Sequence, residues 1–387
     1  MIAPGAWLGL LGGGQLGRMF CMAAQSLGYK VVVLDPGAAS PAGSVADRHI
    51  RADYQDPQAL AKLAALAAAA TTEFENVPAG ALDYLARSLR VAPAAASVAI
   101  AQDRISEKTF LSGHGFVVAP FAVLRTEADA RAADAALVPG IVKSARLGYD
   151  GKGQIRVREQ GEVAAAFGPM GGAPCVLERF VALACEVSVI VARGDGGEVV
   201  AWPVAENLHR DGILDVSIIP ARVSADLARE ALRVATSIAG KLGYRGVLCI
   251  EMFVTKAGAL LVNEIAPRPH NSGHYTIDAC VTSQFEQQAR VLAGLPMGDT
   301  RQHEPAVMVN LLGDLWFADR DAKIPREPDW SQVLRHPQAK LHLYGKAEPR
   351  RARTMGHVTC LGPALEDALG VARTIKRDLG IPGADLL

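Results

Sequence analysis

Hydrophobic positions in the first third of the chain fall into short unbroken runs, separated by longer stretches with helical spacing. Trp7–Leu11 is an apolar run that ends in Gly12-Gly13-Gly14, and the KVVVL run at Lys30–Leu34 ends at Asp35-Pro36. Runs of this length bounded by Gly or Pro predict buried strands. Between them, residues 15–27 predict a helix stopped by Gly28. Residues 58–70 are rich in Ala and predict a second helix on propensity. Residues 71–77, which carry Glu73 and Glu75, predict a third strand. Alternation of this kind predicts a parallel sheet with helices on both faces.

The pattern changes near residue 98. Residues 98–115 predict one helix that carries Arg104 and Lys108. Residues 141–144, 154–158 and 175–178 predict short strands around a Gly-rich loop, which makes a small separate lobe near 120–183. Further on, 186–193 and 198–205 flank Gly194-Asp195-Gly196-Gly197, a hairpin turn. Residues 224–242 predict a helix with Ser224 as its N-cap and Gly243 just past its end. Residues 247–254 and 259–265 predict a second hairpin around a turn at 255–258, and 323–329, with two prolines, a surface loop.

Composition narrows the class. The 387 residues hold 40 Lys+Arg against 40 Asp+Glu, so charge gives no case for nucleic acid or an anionic membrane as partner. Half the residues are hydrophobic, which excludes disorder, and the length suggests about two or three domains. Six Cys without a CxxC pair, several in apolar runs, point to buried thiols in a reducing, cytoplasmic setting. No apolar run reaches the ~18 residues of a membrane span, and Met1–Gly5 has no basic region of a signal peptide.

Four motifs carry chemistry. Gly12-Gly13-Gly14-Gln15-Leu16-Gly17 fits G-x-G-x-x-G between a strand and a helix, with Asp35 closing the next strand. That pattern suits a dinucleotide at a helix N-terminus, or simply a tight turn. Gly148-Tyr149-Asp150-Gly151-Lys152-Gly153-Gln154, preceded by Lys143, makes a loop whose N–H groups can wrap phosphate. The plain alternative is a hairpin tip with solvated lysines. Glu251 and Glu264 come third. If the turn pairs Val254 with Ala259, Glu251 opposes Val262 and Glu264 is its diagonal neighbour, with Cβ atoms roughly 7–8 Å apart on one face. Two such carboxylates can flank a hard cation, whereas a one-residue slip would part them. The fourth motif, Pro267-Arg268-Pro269-His270-Asn271-Ser272-Gly273-His274, offers donors to an anionic substrate, or is a solvated loop. Lesser signals are Glu178-Arg179-Phe180-Val181 at a strand end, Glu186, and a basic run of Lys346, Arg350, Arg351 and Arg353. His49, His114, His303 and His336 have no readable partner and read as structural.

Taken in order and spacing, these pieces resemble the ATP-grasp superfamily, and within it the 5-(carboxyamino)imidazole ribonucleotide synthases of purine biosynthesis. The resemblance rests on GGGQLGRM at 12–19, EFENV at 73–77, GYDGKGQ at 148–154, NLHRDGIL at 207–214, the glutamates at 251 and 264, APRPHNSGH at 266–274, and YGK with MGH near 344–357. It implies an α/β protein whose lid is α+β. The implied parts are an N-terminal doubly wound domain over 1–103, a lid region over 104–183, and a C-terminal domain with a mixed sheet and a metal site over 184–387. Arg104, Lys143 and the loop Gly148, Tyr149, Asp150, Gly151, Lys152, Gly153 and Gln154 would meet the phosphates of ATP. Glu178, Arg179, Phe180 and Val181 would hold the adenine, Glu186 the ribose, and His209 a further nucleotide contact. Glu251 and Glu264, with Asn263 beside them, would bind Mg2+ and the phosphates. Gln15, Leu16 and Glu73 would meet aminoimidazole ribonucleotide from one side, and Arg268, His270, Asn271 and Ser272 from the other, with Lys346 and Arg353 near its phosphate. Thr354 stands where the family commonly has Lys. The family also implies a homodimer and a product passed to the next purine-pathway enzyme.

The implied reaction suits these residues. Transfer of the γ-phosphoryl group of ATP to bicarbonate makes carboxyphosphate, and the amine of the ribonucleotide captures it or the carbon dioxide it releases. Such transfer needs positioning and charge neutralisation. Tyr149, Asp150, Lys152 and Arg268 are the candidate catalytic residues, Asp150 as proton acceptor or as the group that orients bicarbonate. A sister ligase acting on glycinamide ribonucleotide with formate shares the architecture. A nicotinamide-dependent dehydrogenase would explain G-x-G-x-x-G with Asp35 but not the loop or the 251/264 pair, and a nucleotide-binding regulator would need no intact site.

Overall fold

The computed structural model describes residues 1–146, 148, 153–319 and 321–387. The loop residues Tyr149, Asp150, Gly151 and Lys152 therefore lie outside the described residues.

The apolar runs of the first hundred residues form a parallel five-stranded sheet in the order β3-β2-β1-β4-β5, from β1 (Trp7–Leu11), β2 (Lys30–Leu34), β3 (Arg48–Ile50), β4 (Ala69–Thr72) and β5 (Arg90–Val91). Strand order reverses at β1, where doubly wound sheets leave a crevice at their carboxyl edge. Helix α1 (Gln15–Ser26) buries Leu16, Met19 and Phe20 against one face, together with Phe285 and Leu292 from a later helix. Helices α2 (Pro57–Leu66) and α3 (Ala79–Ala86) cover the other face.

Three expectations are corrected here. The helix predicted over 58–70 stops at Leu66, and the strand predicted over 71–77 is Ala69–Thr72. Alanine carries no period, so pairing decides. Residues 69–72 lie parallel to Leu8–Leu11 and are fully buried, which leaves Glu73 and Glu75 just beyond the strand end. The helix predicted over 98–115 is two, α4 (Ala95–Ala101) and α5 (Arg104–Gly113). Asp103 separates them: its carboxylate accepts the N–H groups of Ile105 at 3.0 Å and Ser106 at 3.1 Å, a cap that competes with helix continuation.

The middle of the chain is the expected small lobe. Strands β6 (Phe121–Leu124), β7 (Gly140–Ser144), β8 (Gln154–Val157) and β9 (Cys175–Arg179) form an antiparallel sheet in the order β6-β9-β7-β8. Helices α6 (Glu127–Ala132) and α7 (Gln160–Phe167) close its core on Leu124, Val142, Val163 and Leu177.

A nine-stranded sheet takes the remainder: β10 (Leu183–Arg193), β11 (Val199–Ala201), β12 (Ala205–Arg210), β13 (Ile213–Ile219), β14 (Gly246–Thr255), β15 (Leu260–Ala266), β16 (Ala306–Leu312), β17 (Ala339–Leu343) and β18 (Thr354–Leu361). The hairpin partner predicted over 198–205 pairs only at β11. Pro203 has no N–H for the ladder, and the chain rejoins β10 as β12. Helix α8 (Ala225–Lys241) is capped by Ser224, whose hydroxyl accepts the Leu227 N–H at 3.2 Å, and it packs on β10 and β14. Helices α9 (Thr276–Ala279) and α10 (Gln284–Ala293) follow the fourth motif, and α10 supplies Phe285 and Leu292 to the N-terminal core. Helices α11 (Ser331–Leu334) and α12 (Leu365–Asp378) cover the far half of the sheet. Among the described residues no helix is long and apolar enough to cross a membrane. All six cysteines are free thiols, and only Cys185 is not fully buried.

Candidate active site

The hairpin β14–β15 puts its two acids together by a route the sequence did not predict. Val254 pairs with Leu260 rather than Ala259, a shift of one residue. Continued regularly, that register would set Glu251 opposite Asn263 and turn Glu264 to the other face. A bulge between Glu251 and Met252 absorbs Asn263 as an extra residue, and Glu251 directly opposes Glu264. Ile250, Met252 and Val254 point into the core under α8, as a half-buried strand requires.

Helix α5 supplies three side chains at i, i+3 and i+4 to this bulge. Arg104 Nη1 lies 3.2 Å from Glu264 Oε2, and Glu107 Oε1 accepts the Ile265 N–H at 2.5 Å. Lys108 Nζ donates to Asn263 O at 2.9 Å. Lys143 of β7 donates to Glu178 Oε2 of β9 at 3.1 Å, and Lys108 approaches the same oxygen at 3.4 Å. Across the hairpin, His270 Nε2 lies 2.9 Å from Glu251 Oε1. His209 Nδ1 lies 3.0 Å from Glu186 Oε2.

Charge placement follows from burial and neighbours. Burial alone would raise the Glu251 carboxyl, but His270 beside it holds it down to about 2. Burial would also raise Glu178, and Lys108 and Lys143 outweigh it and keep the group below the usual range. Burial lowers Lys143, only partly offset by Glu178. It would lower Arg104 as well, but Glu264 and Glu107 raise it. Glu107 is pushed up by burial to about 8 despite Arg104. Burial would lower His209, but the hydrogen bond and charge of Glu186, with the charge of Glu251, together raise it.

All of these groups except Lys108 line one cavity of about 770 Å³, ample for a nucleotide. Arg104, Lys143, Gly148 and Gln154 line it from the α5 and small-lobe side. Glu178, Arg179, Phe180, Val181 and Glu186 line the strip between small lobe and large sheet. His209, Glu251, Asn263, Glu264, Arg268, His270 and Asn271 form its floor. Two buried acceptors in this lining, Glu178 Oε1 and Asn263 Oδ1, have no hydrogen-bond partner among the described residues, which is costly unless a ligand meets them. The N–H groups of Arg179 and Phe180 are already taken by Pro120 O at 2.9 Å and Pro139 O at 2.8 Å.

The other predicted site residues lie apart from this lining. Gly153, at φ +69°, closes the glycine loop just before β8. Ser272 is buried beneath His270, with its hydroxyl 2.9 Å from His270 Nδ1 and 2.7 Å from Ser188 Oγ. Gln15 starts α1, and Leu16 packs in the N-terminal core. Lys346 Nζ donates to Thr354 O at 2.5 Å, and Arg353 Nη1 to Glu348 O at 2.8 Å. Arg268 bridges the two halves of the cavity, since its Nε donates to Glu75 from the end of β4.

The glycine turn after β1 serves a residue of its own chain. The Gly14 N–H donates to Glu73 Oε1, and the Gly17 N–H to Glu73 Oε2 at 2.6 Å. A Cβ at Gly12 or Gly14 would collide with the Glu73 side chain. The anion position at the start of α1 is therefore filled by Glu73, and the dinucleotide reading of G-x-G-x-x-G loses its phosphate site. Burial pushes Glu73 up to about 7 even against those donors.

Glu107 and Lys108 are the site neighbours that motif reading leaves out. Their signal is the helical i, i+3, i+4 spacing of Arg104, Glu107 and Lys108, which puts all three on one face of α5. A second polar cluster, Asp278, His342 and His357, lies between β17, β18 and α9. His342 and His357 stack at 4.5 Å and 12°, so their nitrogen lone pairs run parallel and do not converge on an ion. It is a hydrogen-bonded stack, with His342 Nε2 2.8 Å from Asp278 Oδ2 and Tyr344 OH 2.8 Å from His357 Nδ1.

Three family models match consecutive parts of the chain: a ribonucleotide synthetase preATP-grasp domain over 6–102, an ATP-grasp domain over 109–285, and a phosphoribosylaminoimidazole carboxylase C-terminal domain over 306–370. The chain is 48% identical over 365 residues to the N5-carboxyaminoimidazole ribonucleotide synthase of Brucella melitensis, covering 94% of this chain and 98% of that one. It is 43% identical to the Bacillus subtilis enzyme of the same name, covering 93% and 92%. Its structure is similar to an ADP complex of an N5-carboxyaminoimidazole ribonucleotide synthetase at a TM-score of 0.89, with 41% identity and 97% of each chain covered. It is also similar to the Aspergillus clavatus synthase in complex with ADP and 5-aminoimidazole ribonucleotide, at a TM-score of 0.87, with 29% identity and 97% and 99% covered.

Proposed function

This chain belongs to the N5-carboxyaminoimidazole ribonucleotide synthase family, and from that premise we propose how its own residues carry out the family reaction. The protein is a ligase of purine biosynthesis that carboxylates 5-aminoimidazole ribonucleotide with bicarbonate at the expense of ATP.

Bicarbonate is a poor electrophile, so the γ-phosphoryl group must reach it first. Its oxygen attacks the γ-phosphorus, ADP leaves, and carboxyphosphate forms. The amine of the ribonucleotide then takes the carboxyl group, phosphate departs, and the amine loses a proton. Arg104 and Lys143 neutralise the transferred charge, and both already sit in the cavity with buried or partly buried partners. Val181 meets the adenine edge, because its neighbours' N–H groups are spent, and Glu186 with His209 takes the ribose side. Arg268, His270 and Asn271 face the second substrate from the floor, and the glycine loop excludes water from the reactive anhydride. Asp150 on that loop takes the amine proton.

The donor set fits magnesium: two opposed carboxylates and the side-chain Oδ1 of Asn263, which has no partner among the described residues, are hard oxygen ligands. Glu251 and Glu264 would hold the ion, which supplies neutralisation of the phosphate oxygens. The three separate sheets support a division into 1–103, 104–183 and 184–387, the third sheet beginning one residue before the last bound, at Leu183. Homodimerisation and a cytoplasmic place are carried over from the family and from the free thiols.

The opposition of Glu251 and Glu264 beside Arg104 and Lys143 carries this reading. Its test is ADP formation. Release that requires both bicarbonate and aminoimidazole ribonucleotide supports it. Release with formate and glycinamide ribonucleotide instead would move the chain to the sister ligase.

A further inference from the structure

We propose that Lys108 is a positioning residue for phosphoryl transfer: without touching a substrate, it fixes the strand bulge that sets Glu251 against Glu264 and the carboxylate that holds Lys143. The proposal rests on the reading above for the role of the carboxylate pair and adds what holds that pair in place.

Lys108 is 0% exposed and is absent from the cavity wall. Its ammonium has two partners. One is the carbonyl of Asn263 at 2.9 Å, and the other is Glu178 Oε2 at 3.4 Å. Asn263 is the residue left over by the bulge, with no partner in the strand register. A bulged residue drops out of the ladder, and its buried carbonyl needs a donor from elsewhere. Lys108 is that donor. Its neighbours on the same face of α5 take the next two residues, Arg104 the side chain of Glu264 and Glu107 the N–H of Ile265. Three consecutive residues of β15 are thus each held by one side chain of a single helix.

The same helix holds the other side of the site. The Arg104 N–H donates to Ala145 O at 2.8 Å, and Arg146 Nε lies 3.1 Å from Asp103 Oδ2, both at the root of the glycine loop. Through Glu178, Lys108 also fixes the oxygen to which Lys143 donates. A buried ion pair is weak evidence for stability, because desolvation offsets much of the attraction. What Lys108 contributes is geometry: it keeps the two carboxylates and Lys143 in one frame, and displacement by about 1 Å can cost about 10²-fold in rate.

The test is Lys108→Met, of similar length and without charge, in the full chain. The readouts are kcat, KM for ATP, the thermal midpoint, and ADP affinity by calorimetry with and without Mg2+. We expect kcat to fall about 10²-fold and the ratio of ADP affinities with and without Mg2+ to fall toward one, whatever the displacement of Lys143 costs metal-free ADP. A merely structural lysine would lower the thermal midpoint and leave the folded enzyme's metal response and kcat unchanged, and that result overturns the proposal. Should the methionine variant fail to fold, Lys108→Arg keeps the charge but moves the donors. The same losses are expected, and wild-type values overturn the proposal. If ADP affinity in the wild type ignores Mg2+, the metal reading fails by itself. Lys108 is then judged on kcat, because Lys143 is the second group it positions.

Discussion

The glycine turn after β1 and the β14–β15 hairpin both surround glutamates with donors, yet they do opposite things. At the turn, two backbone N–H groups and three glycines enclose one carboxylate, Glu73, from the same domain. Both donors are met within the chain. At the hairpin, Glu251 and Glu264 face each other across a bulge, each with a cationic partner on its outer side, His270 and Arg104. Beside them Asn263 Oδ1 is buried and unmet. That arrangement is incomplete without something placed among its oxygens. A phosphate-binding motif is therefore identified by what fills its donors, and a metal-binding pair by what its acceptors still lack.

The same chemical change at each place separates the two. Glu264→Gln keeps shape and removes charge where the charge is used. ATP turnover should fall by about 10³-fold while the thermal midpoint stays within a few degrees of wild type. Steady-state ADP release and a melting curve check this. Activity near wild type would remove Glu264 from the site and end the contrast.

Glu73→Gln should act on stability and on its pH dependence. The folded-state pKa of Glu73 is raised to about 7 from 4.5. The folded chain therefore holds this proton more tightly than the unfolded chain. Its contribution to stability is fully present below about pH 4.5 and is lost as pH rises through about 7, a change of about 3 kcal/mol. Urea unfolding at pH 5 and pH 8 should show wild type losing about 2–3 kcal/mol more stability than Glu73→Gln, since part of the change is already complete at pH 5. Equal slopes would mean that the Gly14 and Gly17 N–H groups hold Glu73 ionised, as a ligand anion would be held.

Each region was legible to a different extent. The strands β1 and β2 and the helix α8 follow directly from run length and capping residues, because those signals are local. The ends of α2 and β4 did not, since alanine fits either element and only pairing with β1 decides. That Glu251 and Glu264 share a face was anticipated, as diagonal neighbours, by a register that is wrong by one residue, and a bulge instead sets them directly opposite. Bulges depend on tertiary contacts, here those of Arg104, Glu107 and Lys108 on α5. The break before α5 was itself missed because Asp103 was not read as a cap. The glycine motif left two readings open for a similar reason: the residue that fills it, Glu73, is 56 positions beyond Gly17.

Asn263→Ala gives the smallest expected effect and the sharpest form of the comparison. An acceptor that already has a protein partner, like those of Glu73, costs stability when removed. An acceptor buried without one should cost almost nothing, because its desolvation has no compensating bond to lose. Stability should therefore change by less than about 1 kcal/mol, while KM for ATP rises about tenfold, the loss of roughly one hydrogen bond to a charged group. The Lys108 contact, made to the backbone carbonyl of residue 263, survives the substitution, so the bulge and the carboxylate pair stay in place. A variant destabilised by several kcal/mol with unchanged KM would show that Asn263 Oδ1 serves the fold, and that the hairpin, like the glycine turn, is complete in itself.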